Sequence, residues 1–191
     1  MCCRISYSSY ALERAKWQFK LGGSIEVLAQ GTINPSDAAV IIGGRGQEFE
    51  AQEAKFGFAG KEGGLVINAR SESIFTKPMF SSSALYRRCL VPAESFAEWD
   101  ADKNRVEFRL PGKELMYLAG LWKISEDETR FVVITAPAND SVRSVHDRMP
   151  LIIDADEARA WIFDEEAAKK LLGKTLPDLE QLRSEEQLSL F

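Results

Sequence analysis

The sequence predicts an α+β fold: a single domain with a mainly antiparallel, barrel-like β core and peripheral helices. Three observations carry this. At 191 residues the chain has the length of one domain, or of one domain with a tail. Short apolar runs bounded by Gly, Asp, Asn and Pro recur through its middle, as strands do. Those runs do not alternate regularly with helical segments, which argues against a Rossmann-type parallel sheet. The composition is 45% apolar and 28% charged, which excludes a disordered, collagen-like or disulfide-dense chain.

Residues 9–20 have the amphipathic spacing of a helix, and Gly22-Gly23 would end it. Pro35 breaks the chain before a short apolar strand over 39–42. Gly43-Gly44-Arg45-Gly46 resembles a phosphate loop, but it lacks the Gly-Lys-Ser/Thr ending and no helix follows. A hairpin turn is the better reading. Strands are then expected at 65–67, 89–91, 106–110, 115–121 and 131–135; Val106 to Leu110 alternates strictly, as a half-buried strand does. Asp100 to Asn104 reads as a turn. Asp154 opens a late helix with Glu157 as its capping-box partner, and a second helical piece covers 165–172. The domain is expected over 2–176, with a charged tail over 177–191.

Net charge is −5, which argues against a non-specific nucleic-acid binder. It is unevenly spread. Asp154 to Phe191 holds ten acids and five bases, leaving nineteen of each in residues 1–153. A neutral body can still hold a local basic cleft. No apolar run approaches the ~18 residues of a membrane span, and Met-Cys-Cys-Arg-Ile-Ser-Tyr is not a secretory signal. Three Cys, two of them adjacent, make no disulfide framework. A cytoplasmic protein with reduced thiols and no membrane association is expected.

Four residues are candidates for chemistry. Cys2 becomes N-terminal when Met1 is removed, which a small second residue permits. A free α-amine, with a pKa of about 7.7–8.0, would then adjoin a thiol. Such a pair reacts with an aldehyde: the amine forms an imine and the thiol closes a thiazolidine, which an internal Cys cannot do. His146 is the only His, set in Val-His-Asp-Arg-Met-Pro. Glu98 lies between Phe96 and Trp99 two residues apart and next door, so burial could raise its pKa into a general acid's range. Asn68 follows an apolar strand, where a polar group can enter a cleft. One His and three Cys do not suggest a tetrahedral metal site, and no cofactor is implied.

Six segments occur in order: Met-Cys-x-Arg, Ile-Asn-Ala-Arg-Ser-Glu, Arg-Cys-Leu-Val-Pro-Ala-x-x-Phe-x-Glu-Trp, Leu-Ala-Gly-Leu-Trp, Ile-Thr-x-x-Ala-Asn and Val-His-Asp-Arg-Met-Pro. Together they resemble the SRAP family, the SOS-response-associated peptidases or abasic-site processing proteins, from residue 2 to about 163. The resemblance implies a protein that binds abasic sites in single-stranded DNA and crosslinks to them through a thiazolidine, as a shield in the damage response. It implies Cys2 as nucleophile, Asn68 as positioning group, Glu98 as acid/base and His146 as helper in sugar opening and reversal. It further implies that Arg4, Arg70 and Arg148 hold DNA phosphates, that the protein removes its own Met1 as a peptidase, and that it joins the nucleoid when bound to DNA. A monomer without cofactor is expected. The chain departs from the family pattern at Cys3, Phe56, Ala97 and Thr32 to Pro35. Two other readings stay open: a thiol hydrolase acting on peptides through Cys2 and His146, and a non-enzymatic DNA or clamp adaptor.

The tip Gln187-Leu188-Ser189-Leu190-Phe191 resembles the bacterial sliding-clamp binding motif. Gln187 suits a polar subsite, and Leu188, Leu190 and Phe191 suit apolar pockets on a partner.

Overall fold

The computed structural model describes residues 4–22, 31–60, 63–125 and 127–183. Cys2 and the tip 187–191 lie outside the described residues. β1 (Arg4–Tyr7) leads into α1 (Ser9–Phe19). Then come β2 (Gly31–Ile33), β3 (Ala38–Arg45), β4 (Glu48–Phe56), the paired β5 (Phe58–Ala59) and β6 (Leu65–Val66), and β7 (Asn68–Arg70). A 3-10 turn (Ser71–Ser73) and α2 (Ser81–Tyr86) precede β8 (Arg88–Ala93), β9 (Ser95–Trp99), β10 (Arg105–Arg109), β11 (Met116–Ser125) and β12 (Glu128–Pro137). The rest is α3 (Asp140–Arg143), β13 (Arg148–Pro150), β14 (Ile152–Ile153), α4 (Ala158–Phe163), α5 (Glu165–Leu171) and β15 (Glu180–Arg183).

The expected α+β architecture is what forms. β3, β8, β11, β12 and β4 close into a five-stranded barrel. Every neighbouring pair in it is antiparallel except β12 with β4. A second sheet, ordered β15-β10-β9-β1-β2, packs beside it. Val91, Phe131 and Val133 share one core cluster with Phe96 and Phe108 of the second sheet. Their chain neighbours Leu90, Val132 and Ile134 face the other way, into a cluster with Trp161 of α4 and Phe19 of α1. Burial on both faces explains why β3, β8, β11 and β12 read as apolar runs rather than alternating ones, whereas the charged β4 is mostly half-buried. At Gly120 a Cβ would lie 2.9 Å from Cys89 Sγ and 3.0 Å from the Val132 carbonyl, so three strands meet too closely there for any side chain.

Several local expectations shift. α1 is capped by Ser8, whose hydroxyl accepts from the Ala11 N–H. It ends at Lys20 in a left-handed conformation (φ 52°), before the glycines reach it. Gly43 and Gly44 belong to β3, and the hairpin turn sits at Gly46 (φ 59°). The late helix begins at Ala158 rather than Asp154. Glu157 still caps the Asp154 N–H, at 3.0 Å, but Asp154 turns its own carboxylate to Lys113 and Lys174. Without the reciprocal half of the box, the first residues form a turn. From Pro177 to Arg183 the chain stays on the body: Leu179 is buried and β15 pairs with β10.

The departures at Phe56 and Ala97 fall in the interior. Phe56 is fully buried and stacks on Phe131 at 4.9 Å, and Ala97 is buried as well. Both positions serve packing.

Candidate functional site

One end of β12 gathers motifs that are far apart in the chain. β7 lies parallel to it, with Asn68 opposite Val133 and Arg70 opposite Thr135. β13 lies antiparallel on the same stretch, with Arg148 opposite Pro137. A cleft of about 720 Å³ opens there, lined by Asn68, Arg70, Lys77, His146 and Arg148 among others. No residue of the acidic segment 154–183 lines it.

His146 is placed by a one-turn helix that the sequence reading missed. Asn139 caps α3, its Oδ1 accepting from the Ser141 N–H, and the His146 N–H donates to the Val142 carbonyl at 3.0 Å. The Arg148 backbone N–H donates to His146 Nδ1 at 3.0 Å. Nδ1 is then an acceptor, which leaves the ring proton on Nε2. Asp147 Oδ1 also stands 2.9 Å from Nδ1.

Glu98 sits on β9 at 2% exposure. Burial raises its pKa above the ordinary carboxylate range; His146 works against the rise and Asp147 adds to it. The carboxyl and the imidazole therefore lie within each other's field. β1 pairs with β9 so that Arg4 is opposite Ala97, one residue from Glu98. The Arg4 guanidinium lies 4.8 Å above the Trp99 ring.

The three arginines expected on phosphate differ. Arg70 is exposed and has no ion pair among the described residues. Arg148 is committed to the protein: its guanidinium is bidentate to Glu72, with Nη2 to Oε2 at 2.8 Å, and it also donates to the Thr135 carbonyl. Its side chain is 12% exposed. Arg148 thus braces β12, β13 and the 3-10 turn while it also lines the cleft. Glu72 stood in a quoted motif without a role, and its partner is 76 positions away. Lys77 and Met79 of the cleft wall carry no motif; their nearness to Asn68 arises from the fold.

Arg148 holds the Glu72 carboxyl down to about 2, mainly through their hydrogen bonds. A depressed carboxylate stabilises the fold above its unfolded pKa, and this is lost as pH falls through the folded one. Between about 4.5 and about 2, Glu72→Gln should flatten the acid loss of thermal stability relative to wild type. Parallel Tm–pH curves for the two proteins would show the brace to be energetically idle.

The order of these segments agrees with the family comparison. The model of the SOS response associated peptidase (SRAP) family matches residues 1–187. The chain belongs to the SRAP family. Among curated relatives, the abasic site processing protein YoaM of Bacillus subtilis is 34% identical over 111 residues, which is 53% of this chain and 49% of that protein. YedK of Escherichia coli, also named an abasic site processing protein, is 28% identical over 113 residues, covering 55% and 50%. This SRAP chain thus spans about half the length of the curated relatives it matches. A solved structure from Bordetella bronchiseptica superposes with a TM-score of 0.80 at 19% identity, covering 96% of this chain and all of that one. One from Bacteroides thetaiotaomicron gives 0.79 at 20%, covering 98% and 94%. At those identities the likeness shows the fold alone. Among the described residues no helix is long and apolar enough to cross a membrane.

Proposed function

We propose that this SRAP protein captures abasic sites in single-stranded DNA as a covalent crosslink through Cys2, exposed by loss of Met1. The observation that carries this is the buried Glu98 carboxyl in the field of His146, beside the strand that leads back to Cys2. Cys2 is two residues before Arg4 in the chain.

An abasic sugar is mostly a closed hemiacetal. Opening it moves one proton off the C1 hydroxyl and another onto the ring oxygen, which is work for an acid and a base held together. Protonated Glu98 donates to the ring oxygen while its second carboxyl oxygen takes the hydroxyl proton, and the Nε2–H of His146 assists as a hydrogen-bond donor to the sugar. The Cys2 amine adds to the aldehyde and water leaves, giving an imine. The thiolate then adds to the imine carbon, and the nitrogen takes the proton the thiol gave up. Asn68 orients the sugar from the cleft wall, while Arg70, with Arg4 at the rim, takes a flanking phosphate. The crosslink shields the lesion.

Glu98→Gln should slow adduct formation by ~10²–10⁴ and abolish the fall in rate as pH rises through the raised Glu98 pKa. A raised carboxyl pKa gives stability that is present at low pH and lost as pH rises through it. The Gln protein should therefore be at least as stable as wild type at neutral pH. His146→Ala should slow the reaction similarly. Single-turnover rates across pH with parallel melting curves test this. A Glu98→Gln protein that reacts normally would remove Glu98 from the mechanism.

The tip 187–191 is proposed to tether the protein to a bacterial sliding clamp, raising its local concentration where replication stalls. Deleting 187–191 should abolish clamp binding and leave crosslinking to free DNA intact. A tail peptide without measurable clamp affinity would defeat the idea.

A further inference from the structure

α1 presents two different faces. Ala11, Leu12, Ala15 and Phe19 are buried against the body. On the outer face Tyr10 is 53% exposed and Trp17 is 81% exposed. A single exposed aromatic needs no explanation, but these two are seven residues apart on one face, about 10.5 Å along the helix. Arg14 lies between them at helical spacing from both. Lys16 and Lys20 flank Trp17 on the rim of a shallow groove of about 540 Å³ that Trp17 and Leu21 line. None of Arg14, Lys16 and Lys20 is in an ion pair among the described residues, and Glu13 is the one acid in the set. The stretch Ser9 to Lys20 therefore carries a net +2 in a chain whose total is −5. None of these residues lines the cleft around Asn68 and His146.

We infer that the outer face of α1 is a second contact for single-stranded nucleic acid, with Trp17 stacking on a base and Arg14, Lys16 and Lys20 holding flanking phosphates. A flat, accessible indole among unpaired cations is the pairing that sequence-tolerant single-strand binding uses: every base offers a π-face and every nucleotide a negative charge. The charge pattern selects an anionic partner, and the indole selects one with flat faces. This rests on the proposed function for its ligand but not for its chemistry, because the contact needs neither the lesion nor Cys2. It would hold undamaged strand beside a crosslinked site.

The test uses the full chain and an unmodified oligonucleotide long enough to leave the cleft. Trp17→Ala should weaken binding by roughly 5- to 150-fold, the range of one base stack, and Trp17→Phe should restore most of it. Lys16→Ala with Lys20→Ala should lower the slope of log affinity against log salt by ~1.4. Adduct formation with a short abasic oligonucleotide should be unchanged in all three variants. Unaltered affinity and salt slope for the long strand would overturn the inference, as would loss of binding to anionic phosphatidylserine vesicles in place of DNA. If wild type forms no adduct with abasic DNA while these variants still lose affinity for the unmodified strand, the proposed function fails and the α1 contact stands.

Discussion

Cys2→Ala should form no denaturant-resistant adduct with abasic single-stranded DNA, whatever the incubation time. This is the largest effect expected of any single substitution, because thiazolidine closure needs the thiol and the amine on one residue. Cys2→Ser keeps the amine, so it should still form an imine that borohydride traps, but no product should survive denaturation without reduction. Cys3→Gly should keep full activity, since the Cys3 nitrogen is an amide and cannot form an imine. The pair of results separates the two adjacent thiols. A Cys2→Ala protein that still crosslinks stably would show that the nucleophile lies elsewhere.

Arg88→Met should produce the largest loss of stability. Arg88 is 5% exposed at the start of β8. Its guanidinium donates to the carbonyls of Ala84 and Leu85 at the end of α2 and of Trp161 and Ile162 at the end of α4, the last at 3.1 Å. The final carbonyls of a helix have no partner within it and carry the negative end of its dipole. One buried cation thus closes two helix ends onto the barrel. Burial lowers the Arg88 pKa, and Glu165 and Asp164 oppose that. Removing the guanidinium strands four acceptors in the interior, at a cost of about 3–5 kcal/mol. That is a large share of a stability of ~5–15 kcal/mol, and corresponds to a Tm lower by roughly 6–20 °C. Arg88→Lys should recover little, since a point charge with three donors cannot span both helix ends. Thermal melts of the two variants decide it; a loss under ~1 kcal/mol for Arg88→Met would mean the helix ends find other partners.

What was legible in the sequence follows from which forces are local. α1 and the strict alternation of β10 could be read because periodicity reports a single solvent boundary. Four of the five barrel strands were found from their apolar runs, while β4, Glu48 to Phe56, was missed because it is rich in charge and mostly half-buried; the registers were not legible, because strands buried on both faces have no alternation to fix them. The starts of α4 and α1's end moved because Asp154 found distant lysines and Lys20 adopted the left-handed conformation. At the site, Asn68, Arg70 and His146 stood out as polar groups among apolar runs, and the structure lines one cleft with them. The pairing of Arg148 with Glu72 could not be read, because a basic residue in a motif does not mark a carboxylate 76 positions away. The role of Arg88 was invisible for the same reason: its partners are backbone carbonyls, which sequence patterns do not mark.

The central claim is that Cys2 is the N-terminal residue and the point of attachment. The most direct measurement is the intact mass of the purified protein before and after incubation with abasic single-stranded DNA. The free protein should lack Met1, and the adduct should equal that mass plus the oligonucleotide less one water, mapping to Cys2 after proteolysis. A crosslinking-competent protein that retains Met1, or an adduct that maps to any other residue, would contradict it.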